Sequence, residues 1–511
     1  MQDWITDSHE SFEQTIKTAT ELYAENFDTC TTCEQQPWIS FFFDGTGNNK
    51  NADKEPVNRL SNVARLFEGH ARDEPLVVKH YLEGIGTRFE SSDPNWIDDV
   101  RDSELLGGGT GLGGDARLKR AFNLLSASLA TNHRVKRIDV AVFGFSRGAT
   151  LARAFVNQLL QKCERIDGVP HLPCPTAVSG KSAPLYIRFL GLFDTVESVG
   201  LPAHNLTNMM MHVPDDVERC LHLVAGHEIR SAFPLTRLGT ITDTHREFVY
   251  PGVHSDVGGG YKPGEQARSD TLARIPLNRM RLEAAIAGVP FTPPALLDKK
   301  TSDLFEYDPD LKASFDEFEA AADIGSTLDA KMAAHMRLYY GWLKARYQTN
   351  PCDVYKDVCG ANLQSEKDLE RIRSSHTTIA AQLDSLNWRR YWMEVEKTNP
   401  REWHDREKNG GVPPKLSPEE QAYYDAWLNP PVLSDSLIRF FDQYVHDSRA
   451  GFESFIGKGL YLTAREIIAP SGDQPIKANV PSPKIKTDAF SYNQVTPIGS
   501  THVQVAPSVT Q

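Results

Sequence analysis

From Trp38 to Phe43 the chain carries an apolar and aromatic run that stops at Asp44-Gly45-Thr46-Gly47-Asn48-Asn49, a cluster of turn formers. Leu76 to Tyr81 repeats the pattern and ends near Gly84, and Ile138 to Phe143 repeats it again up to Gly144. Leu185 to Phe193 closes at Asp194, and Phe248 to Val253 reads as a fifth run. Each has the length and bounds of a buried strand. Between the third and fourth, Arg147 to Lys162 places Leu151, Ala154, Phe155, Leu159 and Leu160 at helical spacing without a breaker. Strands that are apolar throughout and alternate with helices need cover on both faces, which predicts an α/β fold with a mostly parallel sheet flanked by helices over 38–290.

Beyond Pro293 the pattern changes to long helical periodicities at 314–347, 363–397, 417–428 and 433–446. This predicts an additional C-terminal helical module, 291–480, acting as a cap or a membrane contact. Phe12, Ile16, Ala19 and Tyr23 are spaced for an accessory helix within 1–37. The stretch 481–511, rich in Pro, Ser, Thr and Val, reads as an extended or disordered tail.

The totals narrow the function. At 511 residues the chain has room for one enlarged domain or two ordinary ones. A formal charge of −13 repels polyanions, so nucleic acid is not an expected partner. Met1 to Glu25 is studded with Asp, Glu and His, and no stretch has the length of a membrane span, so the expectation is a protein made in the cytoplasm without a Sec signal. Seven scattered cysteines do not make a disulfide framework, and the Cys30-x-x-Cys33 pair has no second pair at zinc spacing. Asp44 and Asp256 offer oxygen to a hard cation, but two acids are not a cage; no metal and no cofactor are expected.

The chemistry gathers at Gly144-Phe145-Ser146-Arg147-Gly148, a G-x-S-x-G pattern set between an apolar strand and an apolar-striped helix. A serine at such an elbow needs small neighbours and exposes its hydroxyl at the carboxyl edge of the sheet. It also needs a histidine to take its proton and a carboxylate to orient that histidine, in the chain order serine, acid, histidine. Asp194 ends the fourth strand and is the chosen acid, with Glu197 and Asp256 as alternatives. Among sixteen histidines, His254 follows the fifth strand and opens the run Ser255-Asp256-Val257-Gly258-Gly259-Gly260, so it is the chosen base, with His446 as the alternative. The oxyanion donors expected are the amide of Arg147 and that of Gly45 or Thr46. Gly109-x-Gly111-x-x-Gly114 spells a dinucleotide fingerprint, but the polar stretch Asp98–Glu104 before it is no strand. It reads instead as a loop entering a helix near Asp115 that carries Leu118, Ala121, Phe122 and Leu125. Met209-Met210-Met211 reads as core filling or loop before it reads as an acyl-chain surface.

Five ordered blocks carry a resemblance: Phe42 to Asn49, Gly107 to Gly114, Gly144 to Ala149, Gly191 to Val196 and Pro251 to Tyr261. Together they resemble the catalytic domain of the type VI secretion phospholipase effectors, an α/β-hydrolase family. The resemblance covers roughly 40–265 and places the family's triad on Ser146, Asp194 and His254. It implies hydrolysis of a glycerophospholipid acyl ester and delivery by a contractile injector, on a spike or tube component, to the target cell periplasm. It also implies a membrane phospholipid as substrate and a cognate immunity protein in the producer. Two readings compete with it, a serine esterase acting on a soluble ester and a recognition subunit that has lost activity.

Overall fold

A computed structural model describes residues 34–87 apart from 73 and 75, 112–197, 210–347 apart from 324, 363–452, 459–463 and 465–470. The expected accessory helix up to residue 33, the Cys30–Cys33 pair, Gly107 to Gly111 and the tail 481–511 lie outside the described residues.

The centre is a sheet of six parallel strands in the order β2-β1-β3-β6-β7-β9. They are β1 (Trp38–Phe43), β2 (Val77–Leu82), β3 (Ile138–Phe145), β6 (Ser182–Phe193), β7 (Cys220–Ala225) and β9 (His245–Tyr250). A short ribbon, β4 (Glu164–Ile166) and β5 (Val169–Pro173), adds antiparallel to the first half of β6. That pairing, Pro173 with Ser182 and Leu172 with Ala183, is why β6 starts before the predicted Leu185. The five expected strands are present with ends shifted by a few residues. β7 is the additional one, a wholly buried strand between β6 and β9.

The strands alternate their side chains between two apolar clusters, as a period of two requires. Phe41 and Phe43 of β1 face one cluster with Val140, Val142, Leu190 and Leu192. Helices α2 (Leu112–Ala130) and α3 (Arg147–Gln161) cover that face with Leu118, Leu125, Leu151 and Phe155. Phe42 faces the other cluster, stacked on Phe143 with ring centroids 4.9 Å apart. There the cover comes from α1 (Asn62–Gly69), α5 (Arg274–Ile286) and the C-terminal helices, through Leu66, Met280, Phe315, Tyr339 and Phe441. The molecule is therefore a parallel sheet between helical layers, an α/β-hydrolase-like fold with C-terminal helices. Those helices are α6 (Pro309–Ala322), α7 (Leu328–Tyr347), α8 (Leu363–Thr398), α9 (Pro400–Lys408), α10 (Pro418–Leu428) and α11 (Asp435–Tyr444). Their span ends in β10 (Ile467–Ile468), which pairs with β8 (Leu235–Thr236).

The chain leaves β1 for β2 on one side and returns to place β3 on the other. Loops after β1 and β3 diverge, and the crevice between them at the carboxyl edge is where open α/β sheets take ligands.

Candidate active site

Ser146 stands at that crevice, immediately after β3 and before α3, with φ 58° and ψ −126°. A side-chain-bearing residue in this conformation costs about 1–3 kcal/mol and persists only where the surroundings force it. The forcing is visible in the glycines around it. A Cβ on Gly144 would lie 2.5 Å from the Ala149 Cα, and one on Gly148 would lie 2.3 Å from the Phe43 carbonyl oxygen. The Ser146 amide donates to the Phe193 carbonyl at 3.0 Å, which ties the elbow to the end of β6. The Ser146 side chain makes no cap to α3, so its hydroxyl is not spent on the helix it precedes.

Strand register then decides what lies beside Ser146. Phe145 pairs with Phe193, so the next residue of β6's path, Asp194, emerges alongside the elbow. Its amide donates to the Leu223 carbonyl, and its Oδ1 accepts the Ala225 N–H at 2.9 Å. His254 opens α4 (His254–Gly258) just past β9, and its Nδ1 donates to Asp194 Oδ2 at 2.5 Å. The imidazole packs against Phe145 on one side and Phe233 on another, with centroids at 4.6 and 4.9 Å. The contact with Phe145 brings the ring to the residue preceding Ser146. All three predicted residues are buried at one sheet edge.

The oxyanion candidates lie across the same crevice, because Phe43 pairs with Gly144 and the turn after β1 therefore faces the elbow. The Gly45 amide donates to its neighbour Asp44 Oδ1 at 2.7 Å. Thr46 Oγ1 accepts from Arg147 Nε at 2.5 Å, which clips that turn to the start of α3. Asp44 also accepts a short hydrogen bond from Tyr81, and burial pushes its carboxyl up to about 6 against the opposing Ser61 and Tyr81 contacts.

The alternatives from the sequence find other partners. His446 Nδ1 donates to Asp256 Oδ1 at 2.6 Å and stacks on Tyr261 at 3.8 Å, so the alternative base and acid hold each other. Asp44 and Asp256 are thus both taken by protein donors. Glu197 lies against Arg153 and Thr236. Met211 is core filling.

Two groups escaped the sequence reading. Glu228 accepts the His254 amide at 3.3 Å, and it is itself held by Arg230 and by Ser448 Oγ at 3.0 Å. Arg465 forks onto Asp194, Nη1 to Oδ1 at 2.7 Å and Nη2 to Oδ2 at 2.8 Å. Burial alone would raise the Asp194 carboxyl, but Arg465 and the His254 hydrogen bond outweigh it and hold it below the ordinary range. Burial lowers His254, against the pull of Asp194. A neutral imidazole anchored at Nδ1 has Nε2 available to accept a proton, and a hydroxyl at a strained elbow beside a helix N-terminus is the group such a ring activates.

The family described as T6SS, phospholipase effector Tle1-like, catalytic domain, matches residues 39–167 and 175–283. No curated protein matches the chain. Among solved structures, the crystal structure of an uncharacterized protein from Pseudomonas aeruginosa superposes with a TM-score of 0.61 and 22% identity, covering 90% of this chain and 82% of that one. A structure of the Tle1 effector bound to the VgrG spike from the type 6 secretion system gives a TM-score of 0.40 and 17% identity, over 59% of this chain and 84% of that one. Through those residues, a little under half of its length, the chain is similar to the catalytic domain of the Tle1-like type VI secretion phospholipase effectors.

Proposed function

We propose that the protein hydrolyses acyl esters of glycerophospholipids, with Ser146 as nucleophile, His254 as general base and Asp194 as the carboxylate that orients it. The observation that carries this reading is the elbow itself: Ser146 at φ 58° in register with an aspartate whose Oδ2 holds His254 Nδ1. Ser146 Oγ attacks the ester carbonyl while its proton passes to His254 Nε2. The carbonyl oxygen takes the negative charge against the amides of Arg147 and Thr46, since the Gly45 amide is engaged by Asp44. The C–O bond then breaks, the leaving alcohol takes the proton from His254, and the acyl group stays on Ser146. Water repeats the sequence on the acyl-enzyme, releasing a fatty acid and restoring the hydroxyl. Asp194 stays ionised throughout, consistent with its depressed proton affinity.

The match to the Tle1-like catalytic domain supports the lipid substrate and export by the type VI machinery. On that basis we place a spike or tube component as carrier, the periplasmic face of a rival membrane as target, and an immunity protein in the producer. No helix among the described residues is long and apolar enough to cross a membrane, so contact with lipid is assigned to the surface, with 291–480 as the region proposed to cap the site or meet the bilayer.

Fluorophosphonate labelling of the native protein and of Ser146→Ala tests the nucleophile. Loss of label in the variant is expected, and equal labelling would remove Ser146 from the role. Mass spectrometry of phosphatidylethanolamine and phosphatidylglycerol liposomes should find free fatty acid and lysophospholipid after incubation with native protein, falling by about 10³-fold or more with Ser146→Ala. Intact lipid alongside a labelled serine would redirect the substrate to another ester.

A further inference from the structure

Three buried carboxylates lie around the start of α4, Asp194 on the His254 ring, Glu228 on the His254 amide and Asp256 on the helix itself, and each is met by a group from 446–465. His446 holds Asp256, Ser448 donates to Glu228, and Arg465 holds Asp194. Arg465 is the one that touches the acid paired to His254. Besides its fork onto the carboxylate, its Nε donates to the Phe233 carbonyl at 2.8 Å and its Nη1 to the Ala225 carbonyl at 3.3 Å. The guanidinium is thus fixed by protein on several sides. The segment is fixed too, because Leu235 N donates to the Glu466 carbonyl at 2.8 Å and β10 continues the pairing with β8.

We propose that Arg465 is a positioning residue for the hydrolysis, setting the plane of the Asp194 carboxylate and the proton affinity of the Asp194–His254 pair. This rests on the reading of Ser146 given above. A carboxylate gripped by one donor rotates about its last torsion; a planar fork that engages both oxygens removes that freedom and leaves Oδ2 facing His254 Nδ1. The net charge around the pair gives the same direction whichever of the two groups takes the proton. With Arg465 present, protonating the pair takes the group from net zero to +1; without it, from −1 to zero, which is easier. The other charges acting on His254 are Glu228 and Arg230, which pair with each other, while Asp256, on the same helix, is held by His446. Arg230 and Glu228 act on the imidazole in opposite directions, and Arg465 reaches it through Asp194.

Full-length native protein, Arg465→Gln and Arg465→Lys are compared in two measurements. One is the titration of the His254 Nδ1 proton by its low-field resonance, assigned through its loss in His254→Gln. The other is the pH dependence of fluorophosphonate labelling. Arg465→Gln is expected to raise the His254 midpoint by about one pH unit or more, and to move the acid limb of labelling up with it. Arg465→Lys keeps the charge and loses the fork, so it should hold the midpoint near native while the plateau labelling rate falls by about 10-fold or more. A Gln variant with native midpoint and native labelling overturns the proposal, as does a Lys variant labelled at the native rate. If the Gln variant does not fold, the Lys variant decides alone on rate and midpoint. If native protein takes no label at any pH, the reading of Ser146 fails, and the resonance shift between Gln and Lys still decides what Arg465 does to the pair.

Discussion

Gly144 and Gly148 are present because the chain reverses between β3 and α3 in a space that admits no methyl group. In Gly148→Ala the new carbon would press on the Phe43 and Asp44 carbonyls, which belong to backbone and cannot rotate away. A loss of about 2 kcal/mol or more is expected, read as a lower denaturant midpoint, together with loss of fluorophosphonate labelling at Ser146. Asp44 makes a different prediction. Its carboxyl is raised to about 6 from an ordinary 3.8, so the folded state binds the proton more tightly than the unfolded chain. The stabilising contribution is complete below 3.8 and is lost as pH rises through 6. Asp44→Asn removes the buried charge, so it should raise the denaturant midpoint more at pH 8 than at pH 5; an equal change at both would contradict this. Ser146, Asp194 and His254 were legible because each sits at the end of an apolar run, and the end of a buried parallel strand is a sheet edge. Arg465 was not legible. It is one arginine in the mixed stretch Leu462-Thr463-Ala464-Arg465-Glu466-Ile467-Ile468, which carries no motif, and its partner lies 271 positions away in sequence.

The core strands and helices announced themselves through unbroken apolar runs and a period near 3.6. β7 did not, although Cys220–Ala225 is buried at every position. Its run is interrupted by His222, whose Nδ1 is paired with Glu247 at 3.0 Å on the neighbouring strand, so a polar letter inside the strand is satisfied only across the sheet. The helical stretch expected over 314–347 is two helices, α6 and α7. The short helix α4 depends on close approach more than on propensity. A Cβ on Gly258 would fall 1.9 Å from the Phe145 ring, and Phe145 in turn touches His254. Gly258→Ala is therefore expected to displace that ring and the imidazole with it. The measurement is kcat/KM for a soluble nitrophenyl ester, expected to fall by about 10²-fold. A native value would mean that α4 tolerates the shift and that the packing does not place His254.

One apolar cluster runs from the sheet and α5 into Phe315, Phe318, Tyr339 and Phe441, across the boundary drawn at 290. A chain ending at 290 would expose that face and leave Asp194 without Arg465, a buried charge without its partner. It is expected to aggregate or to melt without a cooperative transition; a soluble, sharply melting fragment would contradict that. Acid should unfold the whole protein early. Burial holds His70 and His227 down to about 3 against an ordinary 6.5, so between those values the unfolded chain takes protons that the folded one refuses, and stability falls as pH falls. Glu228 and Asp447 join at lower pH. Burial pushes both up, but Arg230 outweighs it for Glu228 and His376 for Asp447, leaving each at about 2, and their contribution is lost below their ordinary values of 4.5 and 3.8. Denaturant midpoints measured from pH 7 to pH 3 should decline from about 6.5 downward, not only below 4.5. Fold class, five of the six parallel strands to within a few residues, and the three residues at the sheet edge follow from local pattern, since periodicity and turn formers act over a few residues. Which carboxylate meets which cation, the pairing of His446 with Asp256 and the grip of Arg465 on Asp194 required the folded chain, because a buried charge takes its partner from whatever segment the packing brings beside it.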